Sequence, residues 1–220
     1  MALNPTKGNM YPWVTHTWNP IKGCEHDCVY CYLKSLRGYD LTPRFAEKEL
    51  NTNLGSGRTI FAGSTCDMFG EFIHERWVDS VMCKCREHDN TYLFQTKNPV
   101  KCYEYRNIFP QGSILGTTIE TNRDYYKLSK APDTEERFYA MTLIADFIPR
   151  RMVSIEPVID FDLDVLGGWI FMIQPEFVSI GADSKGCNLP EPPPEKLKAL
   201  IERLKTFTQV KVKDNLSRLL

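Results

Sequence analysis

The chain has 220 residues, of which 42% are hydrophobic and 25% charged, with a formal net charge of -1 and a pI of about 6.4. This composition is ordinary for a water-soluble globular protein, and the length suits a single domain over residues 1–220. Without a net positive charge the chain lacks the broad basic field that attracts duplex nucleic acid, and no apolar run approaches the ~20 residues that span a bilayer.

The N-terminal residues 1–11 contain no apolar signal core. We therefore expect a reducing cytoplasm, in which the eight cysteines stay free of disulfides. Four basic residues could form a local basic patch for nucleic acid, but we interpret them as solvated charges at the ends of strands: Arg150, Arg151, Lys211 and Lys213.

Taken in chain order, an extended segment at Trp13–Trp18 comes first, and short β-rich runs then alternate with helical patterns. The β-rich runs are Thr59–Ser64, Tyr92–Thr96, Ile114–Ile119, Met152–Glu156, Phe177–Ile180 and Val210–Val212. The helical patterns are Tyr32–Arg37, Glu75–His88, Pro99–Asn107, Thr134–Phe147, Leu163–Ile173 and Glu195–Thr206. This alternation predicts a parallel sheet with outer helices, an α/β partial barrel of TIM type with six or seven units, because the series is too short for eight.

Three cysteines form the pattern C-x-x-x-C-x-x-C ahead of the helix-like stretch: Cys24, Cys28 and Cys31. Three thiolates can hold three irons of a four-iron cluster and leave the fourth iron open, whereas an electron-transfer cluster usually takes four cysteines. A zinc site is the alternative, with His26 or Cys66 as the fourth ligand. Against zinc, no second C-x-x-C or H-x-x-x-H pair accompanies the loop, and the remaining cysteines show no second cluster spacing.

The cysteine triplet, with Tyr30 as an aromatic residue directly before the last cysteine, resembles the signature of the radical SAM superfamily. The resemblance implies a [4Fe-4S] cluster on Cys24, Cys28 and Cys31 and S-adenosyl-L-methionine bound at the open iron. It also implies a flavodoxin-type or ferredoxin-type electron donor, since reduction of the cofactor releases a 5′-deoxyadenosyl radical. The implied fold is a partial barrel with its chemistry at the carboxyl ends of the strands.

The loop after the Thr59–Ser64 run contacts the methionyl amino group in that superfamily, usually as Gly-Gly-Glu. Here Gly63, Ser64 and Thr65 take its place, and the resemblance implies that they bind the cofactor together with Tyr30. An ordinary strand-to-helix turn is the alternative. The next residue, Cys66, is a candidate to contact the substrate and return a hydrogen atom to it.

Polar residues follow the later strands as well. Lys97 is a candidate to bind a substrate phosphate or carboxylate, although a lone lysine is more often a solvated strand end. Thr118 and Glu120 point the same way on an extended strand, and the resemblance implies that they contact the cofactor ribose.

Three carboxylates are candidates for acid–base catalysis: Glu156, Asp183 and Asp67. Glu156 would be costly to bury alone, so it either faces the site or pairs with an arginine. Together with Glu120, these carboxylates suit a substrate rich in hydroxyls or exocyclic amines.

Further runs, including Trp18–Pro20, Thr96–Pro99 and Ser154–Pro157, resemble a small single-cluster, phage-type group of the same superfamily. We expect a nucleoside or nucleotide substrate. The leading expectation is a queuine lyase activity, a radical C–N bond cleavage that releases queuine from queuosine 5′-phosphate.

Three alternatives stay open. One is a nucleic-acid lesion lyase, since the triplet region also resembles spore photoproduct lyase, and another is an activase of a glycyl-radical enzyme. The third, from a different class, is a zinc-binding interaction module. We expect neither a membrane nor duplex nucleic acid as a partner.

Overall fold

A computed structural model describes residues 3–8, 10–125, 128–148 and 150–220. The strands of the described residues are β1 (Asn4–Pro5), β2 (His16–Trp18), β3 (Ile21–Lys22), β4 (Arg44–Phe45), β5 (Thr59–Ala62), β6 (Thr91–Thr96), β7 (Ile114–Thr118), β8 (Arg151–Ile155), β9 (Phe177–Ile180) and β10 (Gln209–Val212). The α-helices are α1 (Glu75–Arg86), α2 (Thr134–Leu143), α3 (Leu163–Ile173) and α4 (Pro194–Lys205). Short 3₁₀ helices cover Tyr32–Ser35, Glu47–Asn51, Pro99–Tyr105 and Asp214–Leu219.

Eight strands form one sheet in the order β1-β2-β5-β6-β7-β8-β9-β10. All neighbours from β2 to β10 are parallel, and only β1 is antiparallel. The predicted α/β fold, with a parallel sheet and outer helices, is therefore confirmed. Neither β1 nor the small antiparallel pair of β3 and β4 was predicted.

Alternate residues of each strand face opposite sides of the sheet, as the pleat requires. Tyr92 and Phe94 of β6 belong to the large core that the helices cover, whereas Leu93 between them belongs to a smaller core on the other face. Helix α1 joins the large core through residues at helical spacing: Val78, Val81, Met82 and Cys85. Cys85 is thus a core residue, and Cys83 is exposed.

The smaller core lies on the concave face of the sheet. The Tyr11 ring lies 6.4 Å from the ring of Phe61 on β5, and the Trp13 ring lies 5.0 Å from the ring of Phe177 on β9. Two neighbouring side chains can reach strands so far apart in the sheet order only if the sheet curves around them. The segment before β2 therefore fills the interior of a partial barrel.

Some predicted elements differ in type or length. The pattern at Pro99–Asn107 forms a 3₁₀ helix over Pro99–Tyr105, and the helix predicted at Thr134–Phe147 ends at Leu143. The prediction of solvated charges is wrong for Arg151, whose guanidinium is buried and donates to the carbonyl oxygens of Ala145, Ile148 and Ile173. Among the described residues, no helix is long and apolar enough to cross a membrane.

Candidate active site

A cavity of about 450 Å³ opens at the carboxyl ends of the parallel strands. This volume is in the range of small-molecule binding sites. The predicted site residues that line it are Cys24, Cys28, Tyr30, Cys31, Gly63, Ser64, Cys66, Asp67, Lys97, Thr118, Glu156 and Asp183. The fold thus brings together residues that are up to 159 positions apart in the sequence, from Cys24 to Asp183.

The cysteine loop, residues 23–31, begins at a glycine that no other residue could replace without rearrangement. Gly23 has φ +87°, and a Cβ atom there would lie 2.2 Å from the carbonyl oxygen of Thr42. The next amide, of Cys24, donates to the carbonyl oxygen of Leu41 at 2.8 Å. This packing aims the loop at the cavity.

His26 and Asp67 fasten the cysteine loop to the end of β5. His26 Nε2 lies 2.8 Å from Asp67 Oδ2, and both side chains are buried. The same carboxylate accepts from the amides of Lys97 at 2.7 Å and Phe69 at 3.1 Å. Burial opposes its ionisation, but these hydrogen bonds and His26 hold the pKa of Asp67 below its usual value. Asp67 therefore lines the cavity, and its carboxylate also connects the cysteine loop, its own loop after β5 and the end of β6.

The three thiols fit the group that the motif predicts. Cys24, Cys28 and Cys31 line one cavity, and thiolates are the usual ligands of iron–sulfur clusters. Burial raises the pKa of the Cys24 thiol to about 11, which favours the protonated thiol. Ligation to a metal reverses this preference because the group that binds a metal is the thiolate. Within the part of the chain that the structure describes, no three His, Cys, Asp or Glu side chains converge as ligands of a single metal ion. A cluster distributes its cysteines over several irons and does not need that convergence.

The loop after β5 packs directly against the cysteine loop. The Asn19 side-chain oxygen accepts from Ser64 Oγ at 3.1 Å and from the amide of Thr65 at 3.0 Å. The carbonyl oxygen of Thr65 accepts from the amide of Gly23 at 3.2 Å. The Thr65 hydroxyl itself is buried without a hydrogen-bond partner among the described residues. Thr65 is not among the residues that line the cavity, so its contact with a cofactor stays a prediction.

Gly63 and Cys66 complete this wall of the cavity. Gly63 has φ +83°, and a Cβ atom there would lie 2.7 Å from Met68 Cγ, so the turn requires glycine. Cys66 is buried, and its burial raises the pKa of the thiol well above the usual value. Cys66 is therefore a neutral thiol facing the cavity beside Cys24.

The structure separates two residues that the sequence placed together. Thr118 is the last residue of β7 and lines the main cavity, whereas Glu120 lies beyond the strand and lines a second cavity of about 730 Å³. Because β7 ends at Thr118, the alternation of a strand does not set the direction of the Glu120 side chain, which contacts Tyr30 and Lys97 of the main cavity. Contact of Glu120 with a cofactor ribose stays a prediction.

Glu120 is buried in a network of its own. It accepts from Arg137 Nη1 at 2.9 Å and from the Tyr30 hydroxyl, and Lys97 Nζ lies 3.7 Å away. Burial opposes ionisation, but Arg137 and Lys97 hold the pKa of Glu120 below its usual value. Lys97 also lies over the Tyr30 ring, 5.4 Å from its centroid. It is a half-buried cation, 17% exposed, and not a solvated strand end.

On the opposite side of the cavity, Glu156 faces inward and pairs with a lysine instead of an arginine. Lys213 Nζ lies 2.9 and 3.0 Å from the two carboxylate oxygens. The prediction of a solvated charge is wrong for Lys213, whose side chain is 8% exposed. Asp183 accepts from the amides of Lys185, at 2.8 Å, and Cys187.

The floor of the cavity contains residues that sequence reasoning missed. The Tyr11 hydroxyl lies 2.9 Å from Gln95 Oε1 and 3.0 Å from Ser154 Oγ, and Gln95 Nε2 donates to Thr118 Oγ1 at 3.1 Å. Burial, with Glu156 nearby, raises the pKa of Tyr11. The only sequence signal was the alternation of β6 and β8, which turns Gln95 and Ser154 to the inner face. Nothing local marked Tyr11.

Fold and site together define an α/β protein whose curved parallel sheet carries a three-thiol loop at the carboxyl ends of its strands. No family model and no curated protein matches the sequence. Solved structures with the same fold include variants of spore photoproduct lyase. A cysteine-to-serine variant superposes with a TM-score of 0.67 at 12% identity, over 93% of this chain and 78% of the other.

Two further variants were solved with ligands. One holds the dinucleoside spore photoproduct, with a TM-score of 0.68 and 11% identity over 96% of this chain and 80% of the other. The second holds AdoMet together with that dinucleoside, with a TM-score of 0.62 and 13% identity over 91% and 64% of the two chains. At these identities the likeness establishes the shared fold.

Proposed function

We propose that the protein is a radical S-adenosylmethionine enzyme that acts on a nucleotide substrate, and that a lesion in nucleic acid is the best-supported substrate class. The observation that carries this proposal is the convergence of Cys24, Cys28 and Cys31 on one cavity. A [4Fe-4S] cluster held by these thiols, with S-adenosyl-L-methionine, would supply a 5′-deoxyadenosyl radical for hydrogen abstraction. The same proposal covers residues 1–220 as a single catalytic domain.

The chain's own residues orient the reactants and keep water out. The cysteine loop is held in place by Gly23, His26 and Asp67, and the wall at Gly63 to Cys66 lies against it. Orientation and a dry electrostatic environment are what a protein contributes when a cofactor supplies the reactive species.

Two observations favour a lesion lyase. The first is the ligand of the similar structures, a dinucleoside lesion in spore photoproduct lyase. The second is Cys66, a buried thiol that lines the cavity. In a lesion lyase this thiol would give its hydrogen atom to the substrate radical and become a thiyl radical. Net charge argued against nucleic acid, but a nearly neutral chain can still carry cations where it binds a substrate. Four lysines line the cavity (Lys7, Lys97, Lys185 and Lys213), together with the three carboxylates of Asp67, Glu156 and Asp183.

Release of queuine from queuosine 5′-phosphate is the second candidate. A cavity of about 450 Å³ suits a mononucleotide, and Glu156 and Asp183 line it as candidate acid–base groups for C–N bond cleavage. In this reaction Cys66 would have no chemical part. Replacement of Cys66 therefore separates the two candidates.

The test starts with protein purified and reconstituted without oxygen, then reduced with dithionite in the presence of S-adenosylmethionine. We expect a brown protein that forms 5′-deoxyadenosine. Cys24→Ala, Cys28→Ala and Cys31→Ala should abolish both properties, whereas Cys83→Ala, at an exposed position on α1, should retain them. Colourless protein that binds one equivalent of zinc would overturn the proposal.

The substrate is tested by adding either a dinucleoside spore photoproduct or queuosine 5′-phosphate. Repair of the dinucleoside, with product scrambling in Cys66→Ala, would support the lesion lyase. Free queuine from the nucleotide, unaffected by Cys66→Ala, would support the second candidate.

We further propose that the protein works in a reducing cytoplasm and receives its electron from a flavodoxin-type or ferredoxin-type donor. The donor is tested by replacing dithionite with reduced flavodoxin. A glycyl-radical activase would instead co-purify with its target protein.

A further inference from the structure

The cavity has two chemically distinct sides. The thiols and the loop after β5 form one side, whereas residues that follow β8, β9 and β10 form the other. On this second side Glu156 follows β8 and Lys213 follows β10. If the cofactor occupies the thiol side, the reacting partner lies against Glu156 and Lys213.

The Glu156–Lys213 pair offers an acceptor and a donor side by side without net charge. Lys213 Nζ lies within 3.0 Å of both Glu156 oxygens, and the exposed fractions of the two side chains are 18% and 8%. A neutral pair gives little attraction to an anion, and a phosphate would have to lie beside the Glu156 carboxylate. The pair instead matches a ligand edge that carries an adjacent donor and acceptor.

Beside the pair, the floor of the cavity is aromatic and apolar, and the Tyr11 ring in it is 6% exposed and stacked on the Trp13 ring at 5.3 Å. The Lys213 ammonium lies 5.0 Å from the centroid of the Tyr11 ring, whose hydroxyl is fixed by Gln95 and Ser154. Met10 and Phe61 line the same cavity. Aromatic and apolar side chains next to paired polar groups are how enzymes hold a nucleobase that is out of its stack.

We infer that Glu156 and Lys213 form a subsite for an uncharged purine or pyrimidine base. The base edge pairs with Glu156 and Lys213, and its ring lies against the apolar floor at Met10 and Phe61. This inference deepens the proposed function, on which it rests for the nucleotide nature of the substrate. Lys213 is then a specificity residue, since its donor can serve a base only while Glu156 holds it at the cavity wall.

The test is anaerobic titration calorimetry on reconstituted protein with S-adenosylmethionine present, so that the cofactor position is filled. The probes are guanosine, cytidine, uridine and thymidine, with ribose 5-phosphate as the anionic comparison. We expect at least one nucleoside to bind more tightly than ribose 5-phosphate. Lys213→Met and Glu156→Gln should each weaken that binding about tenfold or more, the effect of losing a charge-assisted hydrogen bond.

The matched control is Lys211→Met, two residues earlier on β10. Lys211 Nζ lies 3.7 Å from the centroid of the Phe177 ring, below the cavity, so nucleoside binding should not change. If Lys213→Met does not fold, the double variant Glu156→Gln/Lys213→Met, which removes both charges of the pair, serves in its place. The subsite is overturned if no nucleoside binds, if ribose 5-phosphate binds as tightly, or if the Lys213 variants bind like the wild type.

Formation of 5′-deoxyadenosine in the same preparation reports on the proposed function separately. Wild-type protein that forms 5′-deoxyadenosine but binds no nucleoside would overturn the subsite alone. Wild-type protein that binds a nucleoside in a Lys213-dependent way, yet never forms 5′-deoxyadenosine, would support the subsite and overturn the radical mechanism.

Discussion

Glu120 shows how a single carboxylate can be structural although its sequence position suggests a ligand contact. Its two oxygens accept from Arg137 and Tyr30, and the Glu120 and Arg137 side chains are 3% and 4% exposed. Arg137 Nη1 also donates to the carbonyl oxygen of Thr118 at 2.9 Å. The guanidinium of α2 thereby fixes the end of β7, and Thr118 is presented to the cavity as a consequence.

Replacing Arg137 tests this network. Arg137→Met leaves the Glu120 carboxylate buried with Lys97 as its remaining cation, and breaking a buried pair in this way costs about 3 kcal/mol or more. Urea unfolding should show that loss in the free energy of unfolding. The double variant Arg137→Met/Glu120→Gln also removes the buried carboxylate charge that has lost Arg137 and should recover part of that free energy. Equal stability of the two variants would contradict a role for Glu120 as the buried partner.

Gly181 is the residue that makes room for the Glu156 carboxylate. A Cβ atom at Gly181 would lie 2.8 Å from Glu156 Cδ and 2.9 Å from Oε1. Gly181→Ala should therefore displace the carboxylate and cost about 1–3 kcal/mol of unfolding free energy through overpacking. Gly168→Ala is the control, since a Cβ atom there meets nothing within 4 Å and alanine favours the helix α3. If both variants are as stable as the wild type, Glu156 is not confined as described.

At the scale of elements, the ends of helices set the position of site residues. Helix α2 begins with a capping box, in which Asp133 Oδ1 accepts from the amide of Glu136 at 2.8 Å and Glu136 Oε2 accepts from the amide of Asp133 at 3.1 Å. This box satisfies amides that the first turn of a helix leaves without partners. It places Arg137, one residue later, against the end of β7.

Two substitutions of Asp133 test whether its side chain stabilises the start of α2 as a cap. Asp133→Ala removes the acceptor for the Glu136 amide and should lower the free energy of unfolding by about 1 kcal/mol. Asp133→Asn keeps an acceptor of similar capping strength and should stay close to wild type. Urea unfolding followed by circular dichroism measures both. Similar losses in the two variants would show that the charge, and not the cap, stabilises the start of α2.

At the scale of the whole molecule, local patterns predicted the sheet and most helices but not the contacts across it. Runs rich in β-branched and aromatic residues, such as Phe177–Ile180, place strands because their side chains suit a pleated buried surface. The pairing of Glu156 with Lys213 and the contact of Tyr11 with Ser154 join segments 57 and 143 residues apart. Such contacts depend on how the sheet curves, which no local pattern encodes.

The curved sheet and the cysteine loop are held by the chain's own hydrogen bonds, which leads to a prediction about removal of iron. The Cys24 amide donates to Leu41, the Val29 amide donates to Leu128 at 2.9 Å, and the Tyr32 hydroxyl donates to the Ser64 carbonyl at 2.9 Å. Protein from which iron has been removed by chelation should therefore keep its far-ultraviolet circular dichroism and unfold cooperatively in urea. Its midpoint should be lower than that of reconstituted protein, because a ligand that binds only the folded state stabilises it.

This behaviour differs from that of small domains whose folding free energy comes from the metal, which unfold when the metal is removed. Here the core is large, and only the loop of residues 23–31 contributes the three thiols. A matched comparison is Cys28→Ala, which should resemble the iron-free wild type in stability and should gain nothing from reconstitution. Loss of the cooperative transition on chelation would show instead that the thiol loop needs its metal to hold the carboxyl ends of the strands together.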